Sequence, residues 1–175
     1  IPVLRKAQFM DVPNHRSSHV QPVPRSGGVA VVATVVVVAS LAVDLDTPVI
    51  ALLVATTLLA GVGFADDVSS LPSSVRLLAQ LVAATALTAV LVATGGASWW
   101  WLPVLAVGVA GFVNAFNFMD GINGISGLTA AVIGLWWAWV GHTQDREILA
   151  ALGLILAGAS LGFLVTAPGP GRDSA

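Results

Sequence analysis

The stretch NAFNFMDGINGISG, residues 114–127, closes a long apolar run with one acid and three amides set among glycines. Lipid contact does not call for such residues, and polar groups in membrane segments are costly enough that they usually serve a ligand or a pathway. With residues 106–118 read as the end of a membrane helix, Asn114 and Asn117 share a face, because side chains three apart are neighbours. Asp120 then falls just past the helix end. The glycines that follow let the backbone turn tightly and come close to a bound group. This pattern describes a polar ligand held at a membrane surface; the plainer reading is a helix-ending turn whose amides cap exposed carbonyls.

Outward from this stretch the whole chain is apolar. Hydrophobic residues fill 57% of its 175 positions and charged ones 9%, with a mean hydropathy of +0.91. Soluble domains carry about 25% charged residues. The composition predicts an all-α polytopic membrane bundle forming a single domain, residues 1–175, because lipid penalises unpaired backbone and the alternation of a barrel is missing. There is no cysteine, which excludes disulfides and thiolate chemistry. A net charge of −2 argues against nucleic acid as a partner.

About six spans are expected, over residues 27–43, 48–64, 75–94, 102–118, 125–140 and 148–167. Pro48 and Pro72 suit helix starts, where a missing N–H costs nothing. The shorter spans lie near the lower end of the roughly 17 to 25 residues needed to cross a bilayer. In this alternation all six tryptophans, Trp99, Trp100, Trp101, Trp136, Trp137 and Trp139, fall at one membrane interface, the place that tryptophan prefers. Basic residues collect on the other side, with Arg5, Lys6, Arg16, Arg25, Arg76 and Arg172 against Arg146 alone. The positive-inside rule makes that side cytoplasmic. The basic first loop, the Asp66–Asp67 loop and the Asp120 loop are therefore expected on one cytoplasmic surface.

Those clusters suit phosphate chemistry. Asp66 and Asp67, with Asp120 from another loop, supply the hard oxygen ligands that Mg²⁺ accepts; the alternative is a pair of solvated loop acids. Arg16 and Arg25, with His15 and His19, suit a phosphate or diphosphate, since guanidinium matches phosphate oxygens in a fork. Juxtamembrane basic residues also bind anionic lipid headgroups, and loop histidines are commonly only solvated. His142 faces the other side and receives no role.

Three segments carry a family resemblance: DVPNHRSSHVQPVPRSGG (residues 11–28), GFADDVSSLPSSVR (63–76) and NAFNFMDGINGISG (114–127). Together, in this order, they resemble the signatures of the polyprenyl-phosphate sugar-1-phosphate transferases, which include bacterial phospho-N-acetylmuramoyl-pentapeptide transferase and undecaprenyl-phosphate N-acetylglucosamine-1-phosphate transferase. The resemblance implies a Mg²⁺-dependent reaction, with Mn²⁺ as a substitute, in a multi-pass bacterial inner-membrane protein serving cell-wall or surface-polysaccharide (O-antigen) synthesis. The phosphate of undecaprenyl phosphate attacks the sugar-linked phosphate of a UDP-N-acetylhexosamine, and UMP leaves. It also implies catalytic and metal-binding roles for Asp66, Asp67 and Asp120. Substrate-binding roles fall to Asn14, Arg16, His19, Arg25, Asn114, Asn117 and Asn123, and a homodimer is allowed.

Two departures from the family pattern stand out. Position 123 is Asn where many members have Asp, which removes a charge near the expected site. The chain also opens without an initiator methionine and ends in TAPGPGRDSA, where the family continues into a GD-containing loop and a histidine-rich loop. The expectation is a truncated or frameshifted fragment without its first span and carboxy-terminal half, lacking turnover on its own. The competing class is a noncatalytic membrane protein, either a substrate-binding remnant or a transporter. A transporter, however, places polar groups at mid-membrane, and here they gather at one surface.

Overall fold

A computed structural model describes residues 10–11, 23–24, 27–119 and 124–166. Among these the architecture is α-helical, apart from an antiparallel pairing of β1 (Met10–Asp11) with β2 (Val23–Pro24), in the register Met10 to Pro24. Six helices follow: α1 (Gly27–Ala42), α2 (Thr47–Ser69), α3 (Ser73–Gly95), α4 (Trp101–Met119), α5 (Ile125–Thr143) and α6 (Glu147–Thr166). Five of them are long and apolar enough to cross a membrane. The sixth, α1, is apolar but has 16 residues, about 24 Å at 1.5 Å per residue, short of a 30 Å hydrocarbon core. The protein is polytopic and all-α.

Small residues are inside and large ones outside. Buried positions are mostly alanine, with Ala39, Ala84, Ala106, Ala110, Ala131 and Ala157 at or below 4% exposure, whereas Leu41, Leu78, Val107, Phe118 and Val165 are more than 60% exposed. Lipid tails are as apolar as leucine, so burying leucine gains little there, and close backbone approach decides which helix faces meet.

The helices form two compact units, one of residues 44–121 and one of residues 1–43 with 122–175. In the first, α3 packs against both α2 and α4. It presents the stripe Gln80, Ala84, Thr88 and Val92, spaced one turn apart, all buried. Thr88 donates its hydroxyl to the Ala84 carbonyl at 2.8 Å, so a polar side chain is buried without an unmet donor. Asp46 starts α2 by accepting from the Val49 N–H at 2.9 Å. That helix continues through Asp66 and Asp67 and stops at Ser70, which adopts the left-handed conformation at φ 49°. The stop comes where it does because Leu71 precedes a proline, and the residue before proline is pushed out of helical conformation.

In the second unit α6 packs against α1 and, most extensively, α5. A Cβ placed on Gly134 would lie 2.6 Å from the Ala157 nitrogen and 2.7 Å from the Gly153 carbonyl oxygen. Cβ atoms on Gly141 and Gly153 would likewise meet backbone, of Ala150 and of Ala138. This is small-residue packing at main-chain contact.

Leucine at Gly153 has to push α5 and α6 apart, whereas leucine at Gly158 on the same helix enters open space. Gly153→Leu is expected to cost about 3 kcal/mol or more in thermal unfolding in detergent micelles. Gly158→Leu should stay close to the parent; equal behaviour of the two variants would show that the close approach is not needed.

Candidate active site

The acidic pair lies on the last turns of α2, not in a loop as the sequence reading had it. Neighbouring positions on a helix point in different directions. Asp66 is half-buried, turned to the start of α3, while Asp67 is exposed. The two acids therefore occupy different environments.

Asp66 closes the α2–α3 turn. One carboxylate oxygen, Oδ1, accepts from the Leu71 N–H at 2.8 Å. The other, Oδ2, accepts from Arg76 Nη1 at 2.6 Å, an ion pair whose side chains are 33% (Arg76) and 18% (Asp66) exposed. Its main-chain carbonyl accepts from the Ser70 N–H, also at 2.8 Å. Arg76, in the first turn of α3, further donates from Nη2 to Ser73 Oγ at 3.4 Å. A short charge-assisted bond of this kind is about twice as strong as a neutral one.

Beside this pair lies a cavity of about 40 Å³, lined by Gly63 and Asp66 of α2, Arg76 and Gln80 of α3, and Val113 and Asn117 of α4. It has room for roughly three waters. The site is thus built at one end of the three-helix unit, with charge from α2 and α3 and a carboxamide from each of α3 and α4. Asn114 is exposed and is not among the lining residues. The other expected positions, Asn14, His15, Arg16, His19, Arg25, Asp120 and Asn123, lie outside the described residues.

Gln80 was missed by the sequence reading. It is 7% exposed, and its Oε1 is one of two buried side-chain oxygens without a hydrogen-bond partner among the described residues, with Ser160 Oγ. The signal was there to see: a long carboxamide inside an apolar span, one turn after Arg76, is costly and seldom idle.

Of the hard oxygens that an ion of the magnesium type takes, the cavity offers those of Asp66 and Asn117, while Asp67 is not among its lining residues. Among the described residues no three His, Cys, Asp or Glu side chains gather into a metal cluster. Both oxygens of Asp66 are already engaged. Each oxygen keeps a second lone pair, so a cation on Asp66 would share the carboxylate with Arg76.

The double role of Asp66 sets an order of effects. Asp66→Ala loses the turn bond and the ion pair, and is expected to lower unfolding stability by about 2 kcal/mol. Arg76→Ala keeps the turn bond and should cost about 1 kcal/mol. A larger loss for Arg76→Ala than for Asp66→Ala, measured by thermal unfolding, would contradict this division.

The sequence pattern of glycosyl transferase family 4 matches residues 49–166, which takes in all of the residues that line this cavity. The chain is 30% identical over 187 aligned residues to the decaprenyl-phosphate N-acetylglucosaminephosphotransferase of Mycobacterium tuberculosis, covering 87% of this chain and 45% of that protein. It is 28% identical over 177 residues to the probable undecaprenyl-phosphate N-acetylglucosaminyl 1-phosphate transferase of Bacillus subtilis, covering 91% and 48%. Over 80 residues it is 34% identical to the phospho-N-acetylmuramoyl-pentapeptide-transferase of Latilactobacillus sakei, covering 46% and 25%. The chain spans about half the length of the curated relatives that it matches along most of its own. No solved structure matches it. With a family match over more than half of its residues, and membrane helices where that match lies, the chain belongs to glycosyl transferase family 4.

Proposed function

We propose that this chain carries acceptor-side and metal-side residues of a polyprenyl-phosphate sugar-1-phosphate transferase of the bacterial inner membrane. The donor is a UDP-N-acetylhexosamine and the acceptor is undecaprenyl or decaprenyl phosphate. An oxygen of the lipid phosphate bonds to the sugar-linked phosphorus of the donor. The bond from that phosphorus to the bridging oxygen breaks, and UMP departs with that oxygen. The product, a polyprenyl-diphospho-sugar, serves cell-wall or surface-polysaccharide synthesis.

The observation that carries this reading is the clustering of Asp66, Arg76 and Asn117 at one end of a membrane helix unit, in a family whose relatives are named for this chemistry. Phosphoryl transfer needs positioning and charge neutralisation more than covalent work by the protein. Asp66 and Asp67, with Asp120, would hold Mg²⁺ or Mn²⁺, which supplies charge neutralisation to the diphosphate. One of the two acids, Asp66 or Asp67, takes the proton of the lipid phosphate. Arg76 and Asn117 orient phosphate oxygens, and Arg16, His19, Arg25, Asn14, Asn114 and Asn123 complete substrate binding.

The decisive assay is release of UMP from UDP-N-acetylglucosamine by the natural gene product carrying these residues, in proteoliposomes with undecaprenyl phosphate and Mg²⁺. Asp67→Asn is expected to lower turnover by about 100-fold or more. Unchanged turnover would return Asp67 to a solvated acid. Lipid binding without UMP release would favour the noncatalytic reading.

Sidedness follows from the basic residues, and the active end is expected in the cytoplasm. In intact cells an impermeant maleimide should label Ser98→Cys and Thr143→Cys but not Ser69→Cys. Labelling at position 69 would invert the topology.

A further inference from the structure

The seam between α5 and α6 changes character along its length. Around Gly134, Gly141 and Gly153 the two helices are spaced by main chain alone. At the first turn of α5 the spacer is a side chain. A Cβ on Gly127 would lie 2.9 Å from Leu164 Cδ2 and 3.2 Å from its Cγ, and one on Gly124 would lie 3.5 Å from the same Cδ2. Leu164, half-buried near the end of α6, thus rests against both glycines. Read from sequence, these glycines let the backbone approach a bound group; in the structure the space that a side chain at Gly127 would need is taken by Leu164.

The N-cap of α5 is Gly124, in the left-handed conformation at φ 79°. It has no side chain to accept from the N–H groups of the first turn, a bond that serine or aspartate at this position would supply. Packing therefore has to do what a polar cap does elsewhere, and Leu164 supplies that packing. The residue bonded to Gly124 on its upstream side is Asn123, which can reach only as far as the placement of Gly124 allows. A misplacement of about 1 Å from a distant substitution can cost about 100-fold in rate. We infer that Leu164 is a positioning residue for substrate binding: its side chain fixes the first turn of α5, and with it the point from which Asn123 reaches the UDP-sugar. This rests on the substrate-binding role of Asn123 proposed above.

The test is the release of UMP from UDP-N-acetylglucosamine by the natural gene product in proteoliposomes, with KM for the nucleotide sugar read apart from kcat. Parent, Leu164→Ala, Leu164→Met, Asn123→Ala and the double variant Asn123→Ala with Leu164→Ala are compared. Leu164→Ala should raise KM about tenfold with kcat close to the parent, the pattern of lost binding. Leu164→Met, which conserves volume, should stay close to the parent in both. Asn123→Ala should raise KM at least as far, and adding Leu164→Ala to it should change KM no further, because the two residues act in series. A parent-like KM for Leu164→Ala, an equal rise with and without Asn123, or a fall in kcat at unchanged KM would overturn the positioning role while leaving Asn123 a substrate ligand. If Leu164→Ala does not fold, Gly127→Val, which pushes the same leucine away, carries the same comparison. A parent-like KM for Asn123→Ala would instead overturn the substrate role of Asn123, and the positioning role with it.

Discussion

Inside a bilayer the backbone must satisfy its own hydrogen bonds, and this constraint governs nearly everything else in the chain. It makes helices out of segments such as residues 54–57 of α2, where Val54, Thr56 and Thr57 are β-branched and would favour strands in water. It also removes the usual reward for burying large apolar groups, so alanine and glycine occupy the interfaces and leucine, valine and phenylalanine face outward. Any polar side chain kept in this setting has to find a partner nearby. Thr88 turns back to a carbonyl of its own helix, Asp66 finds Leu71 and Arg76, and Gln80 is left over.

The spans were legible because hydropathy and the helix-start prolines agree: Pro48 marks the beginning of α2 in the sequence, and in the structure Asp46 caps that same start. The end of the same helix was not. Two adjacent acids read as a loop when taken by charge, yet nothing between Ala65 and Ser69 breaks a helix, and α2 runs on until the residues before Pro72. The helix extension changes the site, because it gives Asp66 and Asp67 different directions. The tight approach of α5 to α6 was likewise unreadable, since a glycine in sequence looks the same whether it serves a turn or a contact. Gly124 serves a turn, at φ 79°, and Gly153 a contact.

The candidate site was legible in its residue types and less so in their roles. Asp66 and Asn117 line one cavity, and Asn114 is not among its lining residues. Arg76 was visible as a loop cation, but pairing it with Asp66 required knowing that the α2–α3 connection folds tightly enough to bring positions ten apart together. Two carboxylates side by side in sequence thus divide into one that holds the turn and one that stands at the surface.

The α5–α6 contact has a consequence for biogenesis. Its glycines Gly134, Gly141 and Gly153 face the main chain of the partner helix, with no room for a Cβ, and the two consecutive helices are joined by a short connection, so pairing needs no distant segment. Such a hairpin can close as soon as both helices have left the translocon. Its assembly is then a matter of chain order and shape, decided before any substrate or ion is present.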